Sequence, residues 1–301
     1  MSIIYYSTLP PLKDYFRPAT VESAVSLLNR YGNEAKIIAG GTDVLVAMRS
    51  RKLAPSYLLD ITGIQGLDYI LEDNRGGIKI GALATVHSVE LSKLIRKKYP
   101  LLYEAAHFMG NIQANNLATV AGNVCRASPS GDMACPLLAL GASVQIAGFN
   151  RRHTVHLDQF STGSEQTILK KDEIVTEIQV PGLTPGSGTC FLRTSRVASD
   201  LAKVNVSVVL TLKEGICTGT RIVLGSVAPT LMRALEAEEL IKGKRLNEGL
   251  IEKSAQAAAA AAHPRTGSLR ASPDYKKVLA RTLTRQALTT AFERAGQDGG
   301  K

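Results

Sequence analysis

Apolar positions along this chain recur in short stretches whose period changes repeatedly. Residues 20–31 put Val21, Ala24, Val25, Leu27 and Leu28 on one helical face behind Thr20, a residue suited to capping the first turn. A brief apolar run at 36–39 predicts a buried strand that Gly40-Gly41 break, followed by a short helix-like stretch at 44–48. Further strands are predicted at 56–61, 78–80, 143–147, 151–157 and 173–180, and helices at 86–96, 101–108 and 137–140. This half is mixed α+β with short elements rather than a regular βαβ alternation. The Pro- and Gly-rich stretch 181–188 predicts a linker. After it, 189–194, 203–213 and 218–228 read as three strands, with Val204, Val206, Val208 and Leu210 alternating. Helices are expected at 231–241, 250–262 and 274–292, then a loose tail from 296.

At 301 residues and 45% hydrophobic content the chain can bury an ample core over two or three domains. Charged residues are 21% of the whole, near the globular norm, which argues against long disorder. No apolar run reaches membrane-spanning length, and the first residues lack the basic and apolar regions of a secretion signal, so a cytoplasmic location is expected. The net charge of +10 is dispersed in short clusters such as Arg96-Lys97-Lys98 and Lys242-Gly243-Lys244-Arg245. A nucleic-acid reader concentrates such charge in a stripe or a known motif; neither is present. Attraction of anionic substrates or an acidic partner surface fits better. Cys125, Cys135, Cys190 and Cys217 form no C-x-x-C pair and match neither zinc nor iron–sulfur spacing. They read as buried reduced thiols, with Cys125 placed beside a candidate ligand loop. His153 and His156, three apart in a strand-like stretch, would not share a face to hold a metal.

Two glycine-bearing segments carry the candidate chemistry. The first is Lys36, Ile37, Ile38, Ala39, Gly40, Gly41, Thr42 and Asp43. The second is Thr119, Val120, Ala121, Gly122 and Asn123, followed by Ser128-Pro129-Ser130-Gly131 and Asp132. Glycine removes the Cβ that keeps a backbone from an anion, and small polar residues beside it offer hydroxyl, amide and carboxylate groups. Each segment alone is equally a tight turn without a ligand. Two of them suit a ligand with a diphosphate and two polar ends. No G-x-G-x-x-G or Walker loop is present, against a Rossmann NAD site or a nucleotide hydrolase.

The order of these segments resembles one family. Lys-Ile-Ile-Ala-Gly-Gly-Thr-Asp at 36–43, Ile-Gly-Ala-Leu-Ala-Thr at 80–85 and Ala-Thr-Val-Ala-Gly-Asn at 118–123 with Ser-Pro-Ser-Gly-Asp at 128–132 run in register with it. So do Arg-Val-Ala-Ser-Asp-Leu-Ala-Lys-Val at 196–204 and Ser-Pro-Asp-Tyr-Lys-Lys-Val-Leu-Ala at 272–280. The family is the FAD-binding medium subunit of the molybdenum hydroxylases, of the xanthine dehydrogenase and aerobic carbon monoxide dehydrogenase type. The resemblance implies an α+β fold: a two-part FAD-binding domain like that of vanillyl-alcohol oxidase (the PCMH type) over 1–182, with subdomains at about 1–59 and 60–182. A smaller C-terminal domain, a three-stranded antiparallel sheet with helices, is implied over 186–292, then a tail at 293–301.

The resemblance also implies roles. Residues 36–43 would wrap one side of the FAD diphosphate and 119–123 the other, with the Thr119 and Asn123 side chains reaching phosphate oxygens. Asp132 would sit at the adenosine ribose, Met109 and Gly110 against the flavin ring, and Val175 packed on that ring. Arg193, or Leu192 beside it, occupies the stretch where relatives often carry a lysine near the isoalloxazine. Three departures from the pattern stand out: Ala121-Gly122 replaces paired glycines, Asn115-Asn116-Leu117 stands where a basic residue is frequent, and Arg193 replaces the lysine one register away. The implied cofactor is non-covalent FAD alone, with molybdopterin and [2Fe-2S] clusters on partner subunits only: a molybdenum large subunit and an iron–sulfur small subunit. FAD would take electrons from the clusters and pass them to an acceptor such as NAD. The alternative is a self-standing FAD-dependent oxidoreductase. No nucleophile–base pair or metal cluster is evident in the sequence, so the hard chemistry would be the cofactor's.

Overall fold

The computed structural model describes residues 8–298 apart from 198 and 269. The chain start, residue 198 within the 196–204 motif and the tail from 299 lie outside the described residues.

The first layer is a three-stranded parallel sheet of β1 (Asp14–Phe16), β2 (Ala35–Ile38) and β3 (Tyr57–Asp60) in the order β1-β3-β2, with helices α1 (Val21–Tyr31) and α2 (Val44–Arg49). Thr20 caps α1 by accepting from Ser23 N at 3.1 Å, and Ala24, Val25 and Leu28 face the core, as the periodicity predicts. Phe16, Tyr31 and Tyr57 cluster with ring centroids 4.1–5.9 Å apart. Asp60 is 9% exposed and ends β3. It accepts from Thr62 N and Oγ1 at 2.9 and 2.7 Å and from the Tyr15 hydroxyl.

The second layer is an antiparallel sheet in the order β4-β5-β10-β6-β7. It comprises β4 (Ile70–Glu72), β5 (Ile78–Gly81), β6 (Ser143–Gly148), β7 (Arg151–His156) and β10 (Ile174–Val180), with the small hairpin β8 (Ser161–Gly163) and β9 (Gln166–Thr167) beside it. The helices of this part are α3 (Val86–Leu91), α4 (Lys93–Lys98), α5 (Pro100–Phe108), α6 (Ile112–Asn115), α7 (Val120–Cys125) and α8 (Ala134–Ala139). Ile78, Ile80, Val144 and Ile178 share one core with Leu101, Leu102, Val120 and Leu137. The single helix expected over 86–96 is two. Ser92 adopts an extended backbone between them and caps α4 by accepting from Ile95 N, a position that serine favours over a helix interior.

The C-terminal part is an antiparallel sheet of β11 (Ser187–Thr194), β12 (Val204–Lys213), β13 (Ile216–Gly225) and β14 (Met232–Arg233) under α9 (Leu235–Ile241), α10 (Glu248–Ala260) and α11 (Pro273–Asp298). Three strands are expected here. The fourth is two residues long and pairs Met232 and Arg233 with Leu224 and Val223, so α9 begins four residues later than the apolar run at 231 suggests. Helix α11 continues through 298, where a tail is expected from 296. Its face of Ala280, Ala287, Ala291 and Ala295 lies flat on the sheet, and Gly188 on β11 leaves room for the Ala291 carbonyl.

The two parts share core. Phe191 and Val223 of the C-terminal sheet belong to the same apolar cluster as α5 and α8. Glu104 on α5 accepts from Phe191 N at 2.8 Å and pairs with Arg294 at 2.6 Å; Arg294 also donates to the Thr189 carbonyl. Among the described residues no helix is long and apolar enough to cross a membrane.

Candidate functional site

The first glycine segment leaves the sheet at the end of β2. Lys36 is exposed, and Ile37, Ile38, Ala39, Gly40, Gly41 and Thr42 are half-buried, leading to an exposed Asp43 at the start of α2. Gly41 has φ +71°, a backbone that side chains rarely adopt. Gly40 packs directly on the Leu117–Ala118 backbone just before the second segment: a Cβ there would overlap the Leu117 carbonyl far inside the 3.0 Å that real Cβ contacts essentially never breach.

The second segment is a helix start rather than the turn expected from sequence. Thr119 caps α7 by accepting from Gly122 N at 3.0 Å. Its backbone forms a bridge to Thr85, with Val120 N donating to the Ala84 carbonyl and Val86 N to the Ala118 carbonyl. The motif at 80–85 therefore braces the loop at 118–120. Thr119, Val120 and Ala121 are buried, Gly122 is exposed and Asn123 half-buried. Asn123 Oδ1 accepts from Ala134 N at 3.2 Å, which turns the side chain and leaves its amide as donor. The Thr119 hydroxyl, expected to reach a ligand, accepts from its own helix and keeps its O–H as a donor.

A second tie joins the segments. Arg126, just after α7, lies 3.4 Å from Asp43 and 2.7 Å from Glu165. Cys125, the last residue of α7, is half-buried; burial pushes its thiol up to about 12, against the opposing charge of Lys36. Cys135, Cys190 and Cys217 are buried and free, in keeping with the reduced-thiol reading.

The remaining expected site residues divide. Met109 and Gly110 lie between α5 and α6, Gly110 at φ +57°, with Asn115 Nδ2 donating to the Met109 carbonyl at 2.6 Å. Asp132 was expected as a free carboxylate on a turn. It is 5% exposed and turned into the protein, where it accepts from Asn205 Nδ2 at 2.8 Å and lies 3.3 Å from Arg193. Burial raises its carboxyl above the usual value, while Arg193 and Asn205 pull it back. The Arg193 side chain is only 6% exposed, held by Asp132 and by the carbonyls of Phe108 and Asp200. Val175 is 3% exposed within the central core, opposite Ile146 on β6. Its side chain is covered by protein in the same core as Ile178 and Val180, with a bulge between Val175 and Glu177 breaking the simple alternation of β10.

Four participants escape a reading by motif: Asn115, Arg126, Asn205 and Ser226. Asn205 is an asparagine at the second position of a valine-rich strand, fully buried, which is the one local signal that it has a polar partner. Ser226, at φ +65°, receives the turn at 128–132: its N–H donates to the Pro129 carbonyl at 2.6 Å and its hydroxyl lies 2.7 Å from that of Ser130. A separate cavity of about 320 Å³ opens between α1 and the β6–β7 hairpin, and none of the glycine-segment residues line it.

The chemistry of these segments suits a dinucleotide diphosphate: the Cβ-free backbone of Gly40-Gly41, with Gly41 at positive φ, packs on the Leu117–Ala118 backbone that leads into α7, where Gly122 lacks a Cβ and Asn123 carries an amide donor. Residues 10–183 match the FAD binding domain in molybdopterin dehydrogenase, and residues 190–291 the CO dehydrogenase flavoprotein C-terminal domain. The chain belongs to the FAD-binding medium subunits of the molybdenum hydroxylase family. It is 32% identical to the carbon monoxide dehydrogenase medium chain of Hydrogenophaga pseudoflava over 95% of this chain and 99% of that one. It is 29% identical to the xanthine dehydrogenase FAD-binding subunit of Escherichia coli O157:H7 over 94% and 97%. The solved carbon monoxide dehydrogenase from Hydrogenophaga pseudoflava superposes with a TM-score of 0.92 at 33% identity, covering 95% of this chain and 99% of that one. Quinoline 2-oxidoreductase from Pseudomonas putida 86 superposes at 0.89 with 25% identity, over 96% and 99%.

Proposed function

We propose that this chain is the flavin-bearing link of a three-subunit molybdenum hydroxylase. It holds FAD non-covalently, receives electrons from [2Fe-2S] clusters on a small subunit, and passes them to an acceptor such as NAD. The organic substrate is oxidised on a molybdenum-bearing large subunit. The observation that carries this reading is the contact of Gly40 with the Leu117–Ala118 backbone leading into the second glycine segment, since neither wall alone encloses a diphosphate. Gly40, Gly41, Gly122 and the Asn123 amide would hold the diphosphate. Met109 and Gly110 would face the ring. FAD, when bound, supplies the step between two-electron and one-electron chemistry.

This chain's own residues bind and orient. The backbone of 40–41 would offer N–H donors to an anion, and the Thr119 cap and the Thr85 bridge hold the first turn of α7, whose Val120, Gly122 and Asn123 N–H groups are bonded within the protein, beside it. The relatives' names, medium chain and subunit, support assembly with partner chains.

The test is titration of the purified chain with FAD, followed by co-purification from its native source. Saturable flavin uptake, NADH-driven reduction of artificial dyes by the chain alone without oxidation of an organic substrate, and molybdenum and iron in the native complex are expected. Turnover of an organic substrate by the isolated chain would overturn the subunit reading in favour of a self-standing oxidoreductase.

A further inference from the structure

The buried guanidinium of Arg193 makes contacts that neither a flavin-facing base nor a simple surface ion pair requires. It donates to the Phe108 carbonyl at 2.5 Å, to the Asp200 carbonyl, and lies 3.3 Å from Asp132. These three acceptors come from α5, from the loop that follows β11, and from the turn before α8. The next carbonyl along, that of Met109, is held by Asn115 Nδ2 at 2.6 Å. Two successive carbonyls of one short connection are thus fixed by side chains from different elements. Phe108, on that fixed backbone, is 52% exposed. Arg193 Nε and Asn115 Oδ1 are buried without a hydrogen-bond partner among the described residues. Such groups cost free energy.

We propose that Arg193 is a positioning residue that sets where the 108–110 connection stands relative to bound FAD, tying it to Asp132 and to the loop bearing Asp200. The inference rests on the flavin reading above and deepens it. Arginine fits this role because its planar fork reaches three acceptors in different directions, whereas a lysine ammonium is a point charge on a flexible stem. Arg193 then acts through the backbone it holds, with its own side chain turned into the protein.

The full chain provides an internal control. Glu104 clamps the same helix α5 to the same strand β11, by Phe191 N and Arg294, without touching the 108–110 connection. The experiment loads wild type, R193K, R193Q and E104Q with FAD and records the visible flavin bands, midpoint potential, FAD dissociation constant and melting temperature. R193Q is expected to shift the bands and potential and to weaken FAD binding roughly tenfold, the scale of a lost charge-assisted hydrogen bond. R193K should fall between it and wild type. E104Q should lower the melting temperature while keeping wild-type bands. R193Q with wild-type bands, potential and affinity overturns the proposal, and so does E104Q with band shifts as large as those of R193Q. If R193Q does not fold, R193K decides by the same readouts. A wild-type chain that takes up no FAD overturns the flavin reading itself, and the proposal with it.

Discussion

Gly40 and Leu117, 77 positions apart in sequence, are in direct backbone contact: the missing Cβ of Gly40 leaves the space that the Leu117 carbonyl fills. That contact sets the separation of the two walls. Gly40→Ala forces one backbone to move, so FAD binding should be lost and the melting temperature should fall. Gly122→Ala is the informative contrast. Its Cβ would meet only the Thr119 hydroxyl, at 2.7 Å, and a side chain can rotate away. The cost is then the helix cap, about 1 kcal/mol, with FAD binding weakened rather than lost. Isothermal titration of both variants checks the order, and equal affinities would remove the contact from the account of the site.

Asp60 gives the first layer a predictable response to acid. Burial pushes its carboxyl up, but hydrogen bonds from Tyr15 and Thr62 and the charge of Arg17 outweigh that and hold it below the usual 3.8. A lowered carboxyl contributes stability that is present above its unfolded value and lost as pH falls through its folded value. Asp60→Asn should therefore lower the melting temperature near neutrality and flatten its fall below about pH 4. Thermal melts from about pH 7 to about pH 3 read this directly. Because Asp60 pairs in register with Ile38 beside the first glycine segment, the acid dependence of FAD binding should flatten in the same variant.

The cysteines should be inert in the folded chain. Burial pushes the thiols of Cys125 and Cys135 up to about 12 and that of Cys190 to about 11, and Cys217 is raised for the same reason. The thiolate is the reacting species, so a disulfide reagent at neutral pH should label none of the four quickly and all four after denaturation. Rapid native labelling of Cys125 would mean that the region between the glycine segments opens in solution.

How much of this was legible in the sequence differs from element to element, for physical reasons. Helix α1 and strand β12 announce themselves because each buries a face with a clean period. The break after β2 is marked by paired glycines. Helix α7 is hidden: six residues including Gly122 and Asn123 carry no full period and poor intrinsic propensity, so the segment reads as a turn until the Thr85 bridge and the Thr119 cap are seen. Asp132 could not be placed by sequence. Its partners Arg193 and Asn205 come from two strands of another sheet, and an acidic residue in a Ser-Pro-Ser-Gly-Asp turn looks solvent-exposed. Val175 shows the converse. Its apolar character was evident, but an apolar residue on a strand is equally a core residue, and here it is one. The family itself was legible, because the order of five short motifs survives even where single positions mislead.

Ser226 separates backbone strain from hydrogen bonding at the seam between the two parts. It holds φ +65°, which costs a side-chain-bearing residue about 1–2 kcal/mol. Its hydroxyl lies 2.7 Å from the Ser130 hydroxyl and 3.0 Å from the Ala202 carbonyl, and its own carbonyl accepts from the buried Lys276 ammonium at 2.7 Å. Ser226→Ala keeps the strain and removes the hydroxyl, leaving Ser130 without that partner. Ser226→Gly removes the hydroxyl but also relieves the backbone. Each lost hydrogen bond is worth about 1 kcal/mol, so wild type should be most stable, the glycine variant next and the alanine variant least. If Ser226→Gly instead exceeds wild type, strain outweighs the hydroxyl. The seam would then be held chiefly by the Ser226 N–H to the Pro129 carbonyl and by the Lys276 ammonium, both of which glycine preserves. Denaturant midpoints of the three proteins decide between the two balances.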